Sequence, residues 1–214
     1  VAVAPLRADE GDGDELFGSI AGPGNEELWR FIPFGPPETA ESLVATLAGA
    51  RDAGQWQPMI LRRAAGGPAL GMASYMRIRE EHGSVEVGAV TFSKKLQRTQ
   101  IATDAMYQMA CHAFNGLGYR RYEWKCDALN APSQRAAQRL GFTYEGTFRQ
   151  AAHYKGRNRD TAWYAITDQD WPFCRQALEI WLEPANFDKA GHQRMSLDAI
   201  RKTMAGSGQP EQEE

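Results

Sequence analysis

The chain has 214 residues, of which 43% are hydrophobic, and it carries six tryptophans and a formal net charge of -3. That length suits one domain with appendages, and the apolar content is sufficient for a core. The negative charge argues against a general nucleic-acid binder, which would usually be basic. No apolar run is long enough to span a membrane and no leader pattern is evident. We therefore expect a cytoplasmic protein without nucleic-acid or membrane partners.

The three cysteines have no paired spacing, so the sequence predicts neither a disulfide framework nor a zinc site, and we expect no metal. Cys126 falls on the apolar face of a predicted strand and is interpreted as a buried thiol. No Ser-His-Asp order and no Cys-His pair indicates nucleophilic catalysis.

The chain begins with an acidic, glycine-rich stretch, residues 1–23. Within it, residues 11–14 are predicted to form a turn or a frayed end, and residues 16–20 a short strand. Residues 25–34 indicate one or two helical turns that stop at Pro33. A further helix is predicted from residue 36 to Gly54, with Leu43, Val44, Leu47 and Ala48 facing inward.

Three strands are predicted next, at residues 56–62, 70–79 and 84–92, the last rich in β-branched side chains. After the polar loop 93–100, apolar residues recur at three- and four-residue steps, which predicts a helix that ends near Gly116. A strand that leads through such a loop into a helix N-terminus can bind phosphate, because unpaired N–H groups and the positive end of the dipole face the anion. Arg98 adds a guanidinium suited to phosphate. The alternative is an exposed loop with solvated basic residues.

Residues 121–128 alternate between apolar and charged side chains, which predicts a half-buried strand. Asn130 is predicted to cap the following helix, because its side-chain oxygen can accept a hydrogen bond from the Ser133 N–H. Pro132 is tolerated in the first turn, where N–H groups lack partners anyway, and Gly141 ends the helix.

The last predicted elements are strands at residues 144–154 and 161–167, joined by the basic tip 155–160, and a helix at residues 171–181 that Pro184 follows. The tip either contacts a phosphate-bearing cofactor, an acidic partner or RNA, or is a solvated turn. Residues 184–214 form a polar extension with one short helix near residues 196–204 and an end that looks disordered. We expect this extension to be dispensable for chemistry.

Two motifs carry a resemblance: Gln-Arg-Thr-Gln-Ile-Ala-Thr at residues 97–103, and Asn-Ala-Pro-Ser through Leu-Gly-Phe at residues 130–142. Together they resemble the GNAT acetyltransferase superfamily, and within it the RimJ/RimL-type branch. The resemblance implies an α/β fold with a central mixed, mostly antiparallel sheet, splayed between the fourth and fifth strands, with helices on both faces. It places the acetyltransferase domain at residues 1–183.

The resemblance also implies that acetyl-CoA is the co-substrate, with its pyrophosphate held by the amides of the loop after the fourth strand. Gln100 stands where the first glycine of that loop is usual, and the small residue Ala102 is kept. The implied cofactor-binding residues are Val90, Thr91, Phe92, Gln97, Arg98, Thr99, Gln100, Ile101, Ala102, Thr103, Asn130 and Ser133. The helices before the sheet wall the acceptor site in the superfamily, which makes Trp29, Phe31 and Phe34 candidates for substrate binding. The alternative for each aromatic residue is core packing.

Glu86 is the first candidate for the general base, because a carboxylate in a mostly apolar strand is unusual. The alternative is a strand charge paired with a lysine or arginine. A related enzyme type has a glutamate on the preceding strand, at the position of Arg77. Ser133 resembles the serine that the branch uses near the thiol; otherwise it is a serine of a helix first turn. A backbone N–H near residues 90–92 is expected to stabilise the developing negative charge.

Three functions fit these residues. The first is an acetyltransferase for a protein or peptide N-terminal α-amine, and the second is one for a small amine such as an antibiotic or metabolite. The third is an acyl-CoA-binding module without catalysis. Fold resemblance alone does not choose among acceptors. The sequence is compatible with a homodimer and does not identify the oligomeric state.

Overall fold

A computed structural model describes residues 1–7 and 11–206. The strands are β1 (Ala2–Pro5), β2 (Trp56–Arg62), β3 (Ala69–Arg79), β4 (Ser84–Phe92), β5 (Arg121–Asp127), β6 (Thr143–Tyr154) and β7 (Arg157–Thr167). The α-helices are α1 (Asp12–Ile20), α2 (Ala40–Asp52), α3 (Gln100–Cys111), α4 (Ala131–Leu140), α5 (Trp171–Leu182) and α6 (Leu197–Gly206). A short 3-10 helix, Glu26–Trp29, lies between α1 and α2, and a π-helical turn, His112–Gly116, follows α3.

The strands form one seven-stranded sheet in the order β1-β2-β3-β4-β5-β7-β6. Every neighbouring pair is antiparallel except β4 and β5, which are parallel. The β4–β5 pairing runs from Ser84 opposite Arg121 to Val87 opposite Trp124 and stops there, although both strands continue. This arrangement confirms the predicted mixed, mostly antiparallel sheet and places its opening between β4 and β5.

A bulge in β4 bends the strand at the opening. Met72 of β3 pairs with Thr91 and Ser74 pairs with Gly88, so Ala89 and Val90 together lie opposite Ala73. Ala89 takes the left-handed φ of 48°, which is uncommon for a residue with a side chain. A bulge of this kind bends its strand, and here the bend carries β4 away from β5.

Helices cover both sides of the sheet, and each side has its own core. On one side, strand residues such as Val87 and Trp124 pack with helix residues such as Met106, Leu140 and Leu178. On the other side, α1 and α2 cover β2 and β3 through a second cluster, whose members include Leu16, Ile20, Leu43, Leu47, Ile60 and Met72. Over β5, this second side carries the charged residues that alternate with the core residues of the strand.

Both α3 and α4 begin at a side-chain cap, of which the sequence predicted the one at Asn130. The Thr99 hydroxyl accepts a hydrogen bond from Ala102 N–H at 3.2 Å at the start of α3. Asn130 Oδ1 accepts one from Ser133 N–H at 3.2 Å at the start of α4. Gly141 ends α4 at a φ of 103°, and a Cβ there would lie 2.8 Å from Cys174 Sγ, so both conformation and space require glycine.

The prediction of a short strand at residues 16–20 is wrong, because these residues lie in α1. Leu16 and Ile20 are one helical turn apart and are both fully buried, which a helix on β3 satisfies as well as a strand would. The turn predicted at residues 11–14 is likewise the helix start, with Gly11 at a φ of 83° and the buried Asp12 paired with Arg62 at 2.6 Å. Residues 8–10 of the predicted acidic stretch lie outside the described residues.

Two further differences concern strands. Ala2–Pro5 was not predicted as a strand, and it pairs with β2 from Ala2 opposite Arg62 to Pro5 opposite Met59. The predicted six-residue tip at 155–160 is shorter, because β7 begins at Arg157 and only Lys155 and Gly156 form the turn. Lys155 Nζ donates to the carbonyl of Trp29 at 2.6 Å, which ties this turn to the segment before α2.

Residues 184–206 pack on the domain. Leu197 and Ile200 of α6 are buried in the core on the α3 side of the sheet. Trp181 Nε1 donates to Gln193 Oε1 at 2.8 Å, and Arg201 Nη1 donates to the carbonyl of Arg139 at 2.9 Å. The short helix predicted near residues 196–204 is confirmed, and the end predicted to be disordered lies outside the described residues from 207 on. The domain boundary after residue 183 stays a prediction.

The sequence predicted that the C-terminal extension is dispensable for chemistry. Because one side of α6 is buried, we expect its removal to destabilise the fold. A chain that ends at Glu183 should lose about 3 kcal/mol or more of unfolding free energy, because two aliphatic side chains leave the core at about 1.5–3 kcal/mol each. Urea unfolding of this chain and of a control ending at Gly206 measures the difference. Equal stabilities of the chain ending at Glu183 and the control would contradict the expectation.

Candidate active site

A cleft of about 1410 Å³ occupies the opening between β4 and β5. Its walls include β4 from Glu86 to Phe92, β5 from Trp124 to Asp127, the first turns of α3 and α4, and part of the segment 24–33. Arg159 of β7 and residues 187 and 191–193 also line it. Because the two strands have stopped pairing here, their facing backbone N–H and C=O groups lack a strand partner and are available to a molecule lying between them.

One end of the cleft is the N-terminus of α3. The first turn of this helix contains no acidic residue, and the Thr99 cap takes only the N–H of Ala102. The amides of Gln100 and Ile101 have no partner within the helix, as is general for a first turn. Arg98 precedes the cap at a φ of 59°; it is exposed, lines the cleft and has no ion pair among the described residues. This end can hold an anion.

Gln100 replaces the usual glycine without backbone strain. It begins α3 in a helical conformation, which any residue adopts, and it is absent from the residues with positive φ. Its side-chain Nε2 donates to the carbonyl of Leu182 at 3.2 Å, so the amide group points toward α5. Gln97 Nε2 donates to the carbonyl of Phe92 at 2.9 Å and ties the loop to the end of β4.

The other predicted cofactor residues divide into two groups. Val90, Thr91, Phe92, Ala102, Thr103, Asn130 and Ser133 line the cleft together with the loop residues 97–100. Ile101 does not line it, because its side chain packs against the apolar cluster around Leu61 and Leu96. Only the backbone amide of Ile101 is positioned to contact an anion at the helix end.

Glu86 lies at the point where β4 and β5 separate, and only 4% of it is exposed. Its Oε2 accepts from Arg77 Nη1 at 2.7 Å and from Lys125 Nζ at 3.0 Å. Its Oε1 lies over Gly88, where an added Cβ would be 3.3 Å away. Glu86 is thus paired with a lysine and an arginine, as the alternative to a general base expected, and it also lines the cleft.

Lys125 was missed as a site residue, although it is the buried cation at the centre of the cleft wall. Its side chain is 3% exposed, and its Nζ lies 2.6 Å from Glu123 Oε2 and 3.8 Å from the ring centre of Trp163. Burial raises the pKa of Glu123, but hydrogen bonds from Lys125 and Arg121 lower it more, so this carboxyl titrates below its ordinary range. The alternation in β5 put Lys125 on the polar face, but only the pairing with β4 brings it to Glu86.

Ser133 lies in the first turn of α4 and faces the end of β5. Its Oγ accepts a hydrogen bond from Trp124 Nε1 at 2.9 Å. The thiol of Cys126 lies nearby, and burial raises its pKa more than the hydrogen bond with Ser133 lowers it. Cys126 therefore remains a protonated thiol, as expected for a buried cysteine, and the hydroxyl of Ser133 is the polar group that this turn presents to the cleft.

Asp127 is a second buried carboxylate in the cleft wall and was also missed. It accepts hydrogen bonds from Tyr154 Oη at 2.7 Å and from Leu129 N–H at 2.9 Å, and it pairs with Arg157. Burial raises the pKa of Asp127, but these three donors lower it more. Burial and Asp127 raise the pKa of Tyr154 to about 12, so this phenol stays protonated at neutral pH.

Of the three aromatic residues predicted to bind substrate, only Phe31 lines the cleft. Trp29 is fully buried, and its Nε1 donates to the carbonyl of Ile20 at 2.7 Å. Phe34 packs between Trp29 and Trp56, with ring centres 5.6 and 5.5 Å away. Trp29 and Phe34 are thus in the positions that the core-packing alternative describes, and they support the wall that carries Phe31.

Residues 1–7 and 11–206 also bear on two other classes of site. No group of three or more His, Cys, Asp or Glu residues in these ranges is arranged to hold a metal ion. Within the same ranges, no helix has the length and apolar character needed to cross a membrane.

Comparison with known proteins identifies the family. The family model described as an acetyltransferase (GNAT) domain matches residues 4–143. The chain belongs to the GNAT acetyltransferase family. A GCN5-related N-acetyltransferase from Brucella melitensis is 38% identical in a solved structure, with a TM-score of 0.88 over 94% of this chain and 90% of that one. The comparison with curated proteins returned no match.

Two other solved structures extend the comparison. A GNAT-family protein from Chromobacterium violaceum is 38% identical, with a TM-score of 0.75 over 80% of this chain and 86% of that chain. Spermidine N-acetyltransferase from Vibrio cholerae, solved with CoA and spermine, has a TM-score of 0.65 over 80% of this chain and 97% of its own. At 15% identity, this last similarity extends to the fold alone.

The hydrogen bonds at Asp127 predict a specific acid response. A carboxyl with a lowered pKa in the folded state stabilises the protein above its unfolded pKa of about 3.9, and this contribution is lost as the pH falls through the folded pKa. The stability difference between the parent and Asp127→Asn should therefore be constant above about pH 5 and shrink below about pH 4. Urea unfolding across this range measures it.

Asp168→Asn is the matched control, because Asp168 is exposed. Its difference from the parent should be small throughout the range. A difference between the parent and Asp127→Asn that persists unchanged into acid would mean that the pKa of this carboxyl is not lowered in the folded protein.

Proposed function

We propose that this member of the family transfers an acetyl group from acetyl-CoA to a primary amine by direct attack. The observation that carries the proposal is the opening between β4 and β5, which joins an anion site at the α3 N-terminus to a buried carboxylate at Glu86. Bound acetyl-CoA would supply the activated acyl group and a thiolate leaving group. The experiment is a screen of peptides and small amines, read by thiol release from acetyl-CoA, and no release with any amine would leave a CoA-binding module without catalysis.

The α3 end of the cleft holds the phosphates in this proposal. The amides of Gln100 and Ile101 and the guanidinium of Arg98 are the donors, and the absence of acidic residues in the first turn removes repulsion. The unpaired edge of β4 at Val90, Thr91 and Phe92 then offers backbone groups to the amide-containing arm, as a neighbouring strand would. Asn130 and Ser133 close the other side of this path.

Glu86 and Ser133 handle the protons. Glu86 Oε1 has no hydrogen bond among the described residues and lies over Gly88, where it is placed to accept an amine N–H. An α-amine, with a reference pKa of about 7.7–8.0, needs only a weak base, whereas a lysine amine near 10.4 needs more help. The Ser133 hydroxyl accepts from Trp124 and lies beside the Cys126 thiol, and in this proposal its own proton turns to the departing thiolate.

The acceptor proposed here is the α-amine of a protein or peptide N-terminus, which is the substrate class of the RimJ/RimL-type branch that the loop and α4 motifs resemble. A small-molecule amine would use the same groups, and the amine screen separates the two classes.

Arg98 is predicted to contribute to cofactor affinity. Arg98→Ala should weaken CoA binding by about 10- to 100-fold, the effect of losing a charged hydrogen bond. Isothermal titration calorimetry on the folded variant measures it. Lys95→Ala is the control, because Lys95 is exposed on the same loop but does not line the cleft. Identical affinities for the two variants would make Arg98 a solvated surface residue.

Glu86 is predicted to act on the amine. Glu86→Gln keeps the shape of the side chain and removes its basicity, so kcat/KM should fall by roughly 10²–10⁴-fold while CoA affinity holds. Ser133→Ala should cost less, because water can replace a hydroxyl donor. Steady-state kinetics with the best amine from the screen, and calorimetry with CoA, measure both.

Glu123→Gln is the matched control for Glu86→Gln. Glu123 binds the same Lys125 Nζ but does not line the cleft. If losing a partner of Lys125 were the cause of the rate loss, both variants would slow equally. That result would remove Glu86 from the reaction and assign it to the support of Lys125.

A further inference from the structure

The two carboxylates in the deep part of the cleft, those of Glu86 and Asp127, already have cationic partners. Glu86 Oε2 is shared by Arg77 and Lys125, and Asp127 is bound by Arg157 and Tyr154. Neither carboxylate is therefore an unpaired negative charge to which a second cationic group of an acceptor would bind. The two acidic residues at the outer wall, Glu26 and Glu27, are exposed, and Glu26 accepts a hydrogen bond from its own loop at Gly24 N–H.

Arg159 is a cation of the cleft that lacks an ion-pair partner among the described residues. It lines the cleft from β7, and its buried Nε has no hydrogen-bond partner. Among the described residues, its guanidinium makes no ion pair, and its Cζ lies 5.9 Å from the ring centre of Tyr154. A partly buried guanidinium without an acceptor is costly unless an anion completes it.

The sheet places Arg159 on the same face as the reacting groups. Lys125 pairs with Trp163 and Asp127 with Thr161, so the next alternate position on β7, Arg159, shares the face of Lys125 and Asp127. Glu86 pairs with Glu123 and shares that face too. The α3 N-terminus, where the phosphates are proposed to lie, is a different end of the cleft and has its own donors.

We propose that the acceptor is a primary amine that also carries an anionic group, and that Arg159 recognises this group. The inference rests on the proposed acetyl transfer and narrows its substrate class. A carboxylate or a phosphate matches the guanidinium fork, and the amine then points toward Glu86 along the same sheet face. Polyamines, which carry only positive charge, are disfavoured, because the deep carboxylates are occupied and Arg159 repels them.

The test measures binding to the CoA-loaded protein, so that it does not depend on turnover. Three probes are the amino acids β-alanine, γ-aminobutyrate and ε-aminocaproate, each paired with its neutral carboxamide. Peptide amides with aspartate at the second position are paired with those that have asparagine there. A phosphoserine peptide supplies a phosphate, and spermidine supplies positive charge alone. Calorimetry gives each affinity for the parent, for Arg159→Gln, and for Arg149→Gln. Arg149 is the control, because it is an exposed arginine on the neighbouring strand that does not line the cleft.

The parent and Arg149→Gln should bind at least one anionic member about tenfold or more tightly than its neutral partner, and Arg159→Gln should lose that preference with CoA affinity unchanged. The phosphoserine and aspartate arms distinguish phosphate from carboxylate. The inference would be overturned if each anionic probe bound with the same affinity as its neutral partner, or if no probe bound at all. It would also be overturned if spermidine bound more tightly than the anionic probes, or if Arg159→Gln kept the preference for the anionic member. Weakened CoA binding in Arg159→Gln would assign the residue to the cofactor instead.

The same experiment separates this inference from the proposed function. If the anionic probes bind through Arg159 but none is acetylated when acetyl-CoA replaces CoA, the acetyl transfer fails and the recognition stands. If amines are acetylated without regard to their charge, the transfer stands and the recognition fails.

Discussion

The loss of hydrogen bonding between β4 and β5 after Val87 and Trp124 is the constraint on which the site depends. A parallel pair that continued to Phe92 and Asp127 would fill the opening with its own backbone bonds. The bulge at Ala89 and Val90 prevents this by bending β4 away. The sheet remains stable because β4 stays paired with β3, and β5 stays paired with β7, both antiparallel. Each of the two strands at the opening therefore loses one neighbour along only part of its length.

A row of alternating charges crosses the sheet at this opening and explains how ionised groups remain buried there. Arg121 binds both Glu123 and Glu145, Glu123 binds Lys125, and Lys125 binds Glu86. Burying an isolated charge would cost several kcal/mol, and each member of the row offsets part of that cost for its neighbour. The row also fixes where the cleft is negative and where it is positive, since it leaves one oxygen of Glu86 without a cation.

The parts of the fold that the sequence predicted depend on local chemistry. Asn130, Pro132 and Gly141 bracket α4 through contacts within a few residues, and alternation along β5 separates Trp124 and Cys126 from Lys125. The parts that it did not predict depend on distant partners. Ala2–Pro5 is a strand because β2 lies beside it, and α1 is a helix because Asp12 reaches Arg62 and Leu16 reaches the core of β3. Arg159 looked like one residue of a basic turn until the β5–β7 register put it in the cleft.

The arrangement around Arg77 shows how β3 holds the buried carboxylate of Glu86 on β4. Met76 pairs with Glu86, so regular alternation would put the next residue, Arg77, on the opposite face of the sheet. Arg77 has a left-handed φ of 47°, and the β3–β4 register shifts between Met76 and Arg79, which lets its guanidinium reach Glu86 Oε2 at 2.7 Å. A cation thus occupies the position where the resemblance to the family would place a glutamate, and it holds the carboxylate of the next strand in the cleft. The same irregularity lets Arg77 bind Oε2 of Glu86, so that Oε1 is the oxygen that faces Gly88 and the cleft.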